Sequence, residues 1–210
     1  MIIFDIETEV NQDAVQYISE PVPPKNYKDE EKIAAWIVKK KEEQVERAAL
    51  DPDFGKIVAI GWCISEGESK PKSVLIGDFM GLDTAERNMI DLFWDMYQAH
   101  DGVSAGYNII NFDLPYLYRR SFALGTPVPL LPSLARYRTY PTIDLMQVLY
   151  NWGAPKSLKW VCKRYGIENP LPDVDGSMVK DMDDDTLREY VENDVRMTHE
   201  LFKKMKGIYF

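Results

Sequence analysis

Two carboxylate residues, Asp5 and Glu7, lie two positions apart in the apolar segment Met1–Thr8. Because side chains alternate along a β-strand, both point to the same face, about 7 Å apart. Desolvating an unpaired carboxylate costs several kcal/mol, so such a pair needs a compensating positive charge, which a bound divalent cation supplies. The motif alone leaves open the alternative of an acidic strand end that projects into solvent. The opposite face carries Ile2, Phe4 and Ile6.

A third acidic residue, Asp113, ends the segment Gly106-Tyr-Asn-Ile-Ile-Asn-Phe-Asp113, where a predicted strand leads into a predicted helix. In α/β sheets, ligands gather at that edge. The alternative is that Asp113 serves only as the N-cap of the helix.

The last predicted helix, 183–206, carries a fourth acid in its apolar stripe. Asp194 lies where the 3.6-residue periodicity calls for an apolar residue, and Tyr190 lies one turn earlier on the same face. Asp194 alone could be a core carboxylate bonded to a backbone or arginine donor. Together, the four acids favour one metal centre. The rest of the stripe consists of Leu187, Val191, Thr198, Leu201 and Met205.

The composition of the 210 residues favours a packed globular protein, with 45% hydrophobic and 12% aromatic residues. Two cysteines without a C-x-x-C motif predict a reduced, cytoplasmic protein, and no apolar run is long enough for a membrane span. Two isolated histidines do not suit a zinc site, so a metal would be held by oxygen. The net charge of −9 argues against a duplex-coating protein but allows an enzyme whose carboxylates hold the metal that meets the phosphate.

The predicted elements describe a three-layer α/β domain. Strands are expected at 1–8, 56–65, 73–77 and 102–107, with a turn at 66–71, and helices at 84–100, 114–123, 144–152, 157–165 and 183–206. The proline-rich segment 125–141 is expected to lack regular structure. We predict a single domain over residues 1–210, with a mostly helical insertion at about 11–53. Its charged helix, 29–43, either is solvated or caps a substrate groove.

In this order, Asp5-Ile-Glu7, Asn108 to Phe112-Asp113 and Tyr190-x-x-x-Asp194 resemble the three exonuclease motifs of the DEDD superfamily. The stretch 106–117 is similar to the second motif in the proofreading domain of family B DNA polymerases. In the histidine branch of the superfamily, a histidine lies five residues before the last aspartate. That position is Glu189 here, whereas Tyr190 lies four before, so the chain resembles the tyrosine branch.

The resemblance implies a ribonuclease H-like fold, a central mixed five-stranded sheet flanked by helices. It also implies a 3′-5′ exodeoxyribonuclease that hydrolyses single-stranded DNA to nucleoside 5′-monophosphates with two Mg²⁺ or Mn²⁺ ions. Asp5 would bridge the ions, Glu7 and Asp194 would complete the tighter site, and Asp113 would hold the second ion. Tyr190 would orient the attacking water.

Asn108 and Phe112 are expected to contact the terminal nucleotide, Phe112 by stacking, although core packing is the alternative for Phe112. Two further patches could contact the nucleic-acid backbone or could be ordinary solvated surface. The first consists of three lysines expected on one helix face, Lys156, Lys159 and Lys163, and the second lies in the proline-rich segment, Arg136, Tyr137, Arg138 and Tyr140.

The expected partners are single-stranded DNA or DNA 3′ ends, and a proofreading role would require a separate polymerase or replication protein. Chains of this kind occur in bacterial and viral replication or repair. Two alternatives remain open, an exoribonuclease that trims RNA and a catalytically silent nucleic-acid-binding module.

Overall fold

A computed structural model describes residues 1–66, 70–79 and 84–209. These residues form two compact units, one of Met1–Glu7 with Ile57–Phe210 and one of Thr8–Lys56. The predicted turn at 66–71 falls partly outside the described residues, since 67–69 are not among them. No helix in the described ranges is both long enough and apolar enough to cross a membrane. The prediction of a single domain with an insertion at about 11–53 stays a prediction.

The smaller unit contains one long helix, α1 (Glu30–Ala48), which confirms the helix predicted from the charge pattern. It begins where the carboxylate of Asp29 accepts hydrogen bonds from the backbone N–H groups of Glu31 and Lys32. Within this unit, the ring of Trp36 on its half-buried face lies 6.5 Å from that of Tyr27 in an edge-on contact.

In the described residues, the sheet has five strands in the order β3-β2-β1-β4-β5. The strands are β1 (Ile2–Val10), β2 (Gly55–Ile64), β3 (Lys72–Leu75), β4 (Ser104–Gly106) and β5 (Thr142–Asp144). β2 and β3 are antiparallel, whereas β4 is parallel to both β1 and β5. The predicted mixed five-stranded sheet is therefore confirmed. The prediction placed the third strand through Gly77, but the chain turns into a 3-10 helix at Ile76–Phe79.

Helices cover both faces of the sheet and enclose separate apolar clusters. The helices of the larger unit are α2 (Ala85–Ala99), α3 (Asp113–Leu124), α4 (Leu145–Tyr150), α5 (Leu158–Tyr165) and α6 (Asp184–Tyr209). Ile2, Phe4 and Ile6 pack with α2 and α3, whereas Ile3 packs with α5 and α6. The alternation predicted for the first strand is confirmed, and it directs Asp5 and Glu7 to the α5–α6 side.

The close approach of α6 to β2 depends on Gly61, which has no side chain between the two elements. A Cβ atom at Gly61 would lie 2.9 Å from Cγ2 of Val191 and 3.2 Å from its carbonyl oxygen. Real Cβ atoms do not come that close, so any larger residue would displace α6. The predicted inward stripe of this helix is confirmed, since Leu187, Val191, Thr198, Leu201 and Met205 are all buried.

The loop between β4 and α3 is fixed by close backbone packing. A Cβ atom at Gly106 would lie 2.2 Å from Cγ2 of Ile109 and 3.0 Å from the carbonyl oxygen of Phe4. Asn108 adopts a left-handed backbone conformation with φ of 70°, which asparagine tolerates better than most residues. The chain can therefore turn tightly at the end of β4 and deliver Asp113 beside β1.

Candidate active site

The first strand presents its two acids just beyond the point where its pairing with β4 ends. The β1–β4 register covers Ile2 and Ile3, and β4 itself ends at Gly106. Asp5 is half-buried and Glu7 is buried, 8% exposed. Both carboxylates therefore lie in a crevice at the end of the paired strands, where α/β proteins commonly bind ligands.

Asp194 of α6 completes a cluster of three carboxylates with Asp5 and Glu7. One oxygen from each residue lies within 4.8 Å of the other two. Oδ1 of Asp194 is buried and has no hydrogen-bond partner among the described residues. A buried acceptor without a donor is costly, so this atom is available to a ligand that brings positive charge.

Asp113 lies next to this cluster but is not one of its three members. Its Oδ1 accepts a hydrogen bond of 3.1 Å from the backbone N–H of Ile6, which lies between the two acids of β1. Asp113 is the first residue of α3 and follows the N-cap position, which is Phe112. The N-cap alternative is therefore wrong for Asp113, and its carboxyl group is tied to β1 instead.

Burial disfavours the charged forms of these four acids, and repulsion from the other acids adds to this effect at Asp5 and Glu7. Burial and then the charges of Asp113, Glu7 and Asp194 raise the pKa of Asp5 well above its ordinary value. Burial, together with Asp194 and Asp113, also raises the pKa of Glu7. Burial raises the pKa of Asp113 to about 7 and that of Asp194 to about 6. An added cation would oppose these shifts, because it would favour every carboxylate in its charged form.

Tyr190 lies beside the cluster, one turn before Asp194, and is 5% exposed. Burial and the charges of Glu7, Asp194 and Asp5 raise the pKa of its phenol far above the ordinary value, so the hydroxyl stays protonated at neutral pH. A Cβ atom at Gly176 would lie 3.9 Å from this hydroxyl and 3.8 Å from Oε2 of Glu7. The phenol can therefore donate a hydrogen bond in the crevice but cannot act as a base there.

An open cavity of about 410 Å³ adjoins the carboxylates. Its lining includes the acids Asp5 and Asp194, together with Tyr107, Asn108, Met146 and the segment 155–158. Its volume falls in the range of small-molecule sites. Phe112 does not line this cavity. Its ring lies 5.4 Å from that of Tyr116 and packs partly against the first apolar cluster, as the core-packing alternative expected.

Residues 49–209 match the model of a protein family described as "Predicted 3'-5' exonuclease related to the exonuclease domain of PolB". The chain belongs to this family. The match includes the positions of Asp113, Tyr190 and Asp194, whereas Asp5 and Glu7 precede it. The family agrees with the predicted 3′-5′ exonuclease class, while the assignment to the tyrosine branch stays a prediction.

The fold of this PolB-related chain is similar to that of a family B DNA polymerase from the hyperthermophilic archaeon Pyrobaculum calidifontis. The TM-score is 0.63 at 22% sequence identity, over 98% of this chain and 24% of the polymerase. The chain thus spans about a quarter of the polymerase, and the similarity supports the predicted fold. A comparison with curated proteins gave no match.

Three features of this PolB-related site were not predicted. Lys159 was predicted only as part of a basic patch, but its Nζ lies 5.6 Å from the centroid of the Tyr190 ring. Tyr107 donates a hydrogen bond from its hydroxyl to the carbonyl oxygen of Lys156, which holds the loop before α5 against the cavity. Lys156 precedes α5, so it does not share a helix with the other two lysines of the patch.

The third feature is Asp144, which organises the loop that carries Asn108. Its carboxylate oxygens accept hydrogen bonds of 3.0 Å from the backbone N–H groups of Asn108 and Ile110, and it also caps α4 through the N–H of Gln147. Its position at the end of a strand and the start of a helix was the available signal, but the strand had not been predicted.

Proposed function

We propose that this chain is a metal-dependent 3′-5′ exonuclease that hydrolyses single-stranded DNA from its 3′ end and releases nucleoside 5′-monophosphates. The observation that carries the proposal is the cluster of Asp5, Glu7 and Asp194, whose oxygens lie within 4.8 Å of one another. Membership of the family supports the exonuclease activity, and the carboxylate cluster supports the use of metal ions in the reaction.

The donor set fits two Mg²⁺ or Mn²⁺ ions. Every candidate ligand is a carboxylate oxygen, the donor type that these ions prefer, and the buried Oδ1 of Asp194 has no donor within the described ranges. Asp5, Glu7 and Asp194 would hold one ion, and Asp5 and Asp113 the other. When bound, such ions stabilise the negative charge on the attacking and leaving oxygens of a phosphodiester.

The protein's own groups position the reactants. Tyr190 keeps its proton, so its hydroxyl would orient the attacking water by hydrogen bonding. Lys159 lowers the pKa of both Glu7 and Asp194 and so favours the charged carboxylates that a metal requires. Asn108, on the wall of the cavity, would contact the terminal nucleotide. Contact of Phe112 with that nucleotide stays a prediction.

Single-stranded DNA suits this cavity because the terminal nucleotide must separate from a complementary strand before it can reach the carboxylates. The similarity to the exonuclease domain of a DNA polymerase favours DNA and a role in replication or repair. Because the protein carries a net charge of −9, we expect substrate affinity to depend on the metal ions at the site.

The test is a time course with 5′-labelled single-stranded DNA and a matched RNA oligomer, in Mg²⁺ or Mn²⁺, with and without chelator. We expect a ladder that shortens from the 3′ end, requires metal and disappears in Asp5→Asn. Asp95→Asn, at an exposed position of α2, is the matched control and should keep full activity. Full activity of Asp5→Asn would contradict the metal assignment.

Two other outcomes would support the alternatives. Shortening of RNA alone would identify an exoribonuclease, and binding of either strand without shortening would identify a non-catalytic module. A metal titration followed by thermal unfolding provides an independent measurement. Mg²⁺ or Mn²⁺ should raise the melting temperature of the wild type and of Asp95→Asn but not of Asp5→Asn.

A further inference from the structure

A second cavity, of about 310 Å³, is lined by residues of α4 and of the segments on either side of it. Met146 lines the first cavity, whereas the next residue, Gln147, lines the second. Asp144 also lines the second cavity, and its carboxylate holds the backbone of Asn108, which lines the first. Asp144 therefore links the two cavities, because it lines the second and fixes the backbone of a residue that lines the first.

Two aromatic side chains that line this cavity, Tyr137 and Trp152, are not part of the apolar core. Tyr137, from the proline-rich segment, is 74% exposed, and its ring lies 5.3 Å from that of Trp152 at an angle of 67°. Neither residue belongs to an apolar cluster of the described core. Packing therefore does not account for two large rings held together at the surface. Base stacking would use such a pair.

The backbone around the cavity is held in unfavourable conformations. Tyr137, Asn151 and Trp152 have φ values of 64°, 46° and 63°, in the left-handed region. Such conformations are uncommon outside glycine and are costly for bulky residues. Asparagine tolerates this region at the end of α4, but tyrosine and tryptophan seldom adopt it, so the surrounding structure holds Tyr137 and Trp152 in place.

Polar groups at the same cavity match the other parts of a nucleotide. Arg138 is exposed beside Tyr137 and can meet a phosphate. Gln147 is only 7% exposed and lines this cavity with its polar side chain. Such an amide can donate to and accept from a base edge.

We propose that this second cavity binds a nucleobase of the single strand upstream of the 3′ end, so that the strand passes α4 before it enters the catalytic cavity. The assignment rests on the proposed exonuclease function. The base would stack on Tyr137 and Trp152, Arg138 would contact a phosphate, and Gln147 would contact the base edge. The cavity thus favours substrates long enough to reach from the carboxylates past the helix.

The test compares a long single-stranded oligomer with a dinucleotide, which we expect to occupy the catalytic cavity alone. In Tyr137→Ala and Trp152→Ala, the KM for the long oligomer should rise about tenfold, the effect of losing one stacked base. The KM and kcat for the dinucleotide should stay at wild-type values. Phe122→Ala removes an aromatic ring that is 91% exposed and lines neither cavity, so it is the matched control and should behave as wild type.

Equal KM values of wild type and Tyr137→Ala for the long oligomer would overturn the proposal. An equal loss on both substrates would also overturn it, because such a loss indicates a structural effect. Metal-dependent hydrolysis of the dinucleotide reports on the proposed exonuclease separately from the second cavity. Its absence in the wild type together with unshortened long oligomers would contradict the proposed function instead.

A free mononucleotide offers the same chemistry as a base of the strand. Mononucleotide binding is measured for Asp194→Asn and for the double variant with Tyr137→Ala. This measurement distinguishes a site for a free mononucleotide from a site for a base of the substrate strand. Mononucleotide binding that depends on Tyr137, combined with an unchanged KM for the long oligomer, would show an isolated nucleotide site and would overturn the assignment to the substrate strand.

Discussion

The ammonium nitrogen of Lys159 lies 5.6 Å from the centroid of the Tyr190 ring, so a cation of α5 covers the tyrosine that stands beside the carboxylates of β1 and α6. This nitrogen also lowers the pKa of Glu7 and of Asp194, against the upward effect of burial. One lysine therefore acts on a ring and on two acids of the candidate site.

We expect Lys159→Met to raise the pKa of Glu7 and Asp194, because the only change at these acids is the loss of a positive charge. Metal ions would then compete with more tightly held protons. The acid limb of the pH–activity profile should move to higher pH, and half-maximal activity should require several times more Mg²⁺. Lys163→Met, at an exposed position of the same helix, should change neither quantity. An unchanged acid limb in Lys159→Met would contradict the electrostatic role.

Tyr190→Phe should lower kcat by roughly 100-fold, the scale of a lost hydrogen-bonding group at a reacting water, and leave the metal requirement unchanged. The phenylalanine keeps the packing of a residue that is only 5% exposed and keeps the ring under Lys159. Steady-state kinetics at saturating metal provides the measurement. Glu189→Gln, the exposed neighbour on α6, is the control. A wild-type kcat for Tyr190→Phe would exclude the phenol from the reaction.

Substitutions of Asp113 separate its structural contact from its charge. Asp113→Asn keeps an oxygen that can accept the N–H of Ile6, whereas Asp113→Ala leaves that N–H without its partner. If Asp113 holds a metal, both variants should lose activity by roughly two orders of magnitude or more, but only Asp113→Ala should lose about 1–3 kcal/mol of unfolding free energy. Nuclease assays combined with urea unfolding measure both effects. Wild-type activity in Asp113→Asn would reduce its role to the hydrogen bond.

Without metal, stability should fall as the pH rises from about 4 to about 7. Burial raises the pKa of Asp113 from 3.8 to about 7, so the folded protein binds this proton more tightly than the unfolded chain does. The stabilising contribution is fully present below about pH 4 and is lost by about pH 7. Urea unfolding in chelator should therefore give a higher free energy at pH 5 than at pH 8, with a smaller difference in Asp113→Asn. Saturating Mg²⁺ should weaken or reverse the trend. A larger free energy at pH 8 in chelator would contradict this prediction.

Periodicity predicted the elements that carry the main acids. The alternation of β1 and the stripe of α6 were sufficient to place Asp5 and Glu7 on one face of the strand and Asp194 on the inward face of the helix, because both patterns are long. The sequence patterns did not predict β5 as a separate strand, because Thr142–Asp144 is too short to show the alternation of side chains that marks a strand.

Other parts of the site depend on tertiary contacts that no local pattern encodes. The position of Lys159 over Tyr190 is set by the packing of α5 on α6, and the role of Asp144 depends on a loop 34 to 36 residues away in the sequence. The left-handed conformation of Tyr137 likewise has no signal in its residue type, since tyrosine seldom adopts it.

The distance in sequence between Asp5 and Asp194 has a consequence for how nuclease activity arises during biosynthesis. Because β1 contributes two acids of the cluster and α6 the third, a nascent chain holds an incomplete centre until the last helix has been made and has docked against Gly61. Under the proposed function, a half-made chain would therefore not hydrolyse nucleic acid near the ribosome. In a refolding experiment, the rate at which activity returns would accordingly report the rate at which α6 docks.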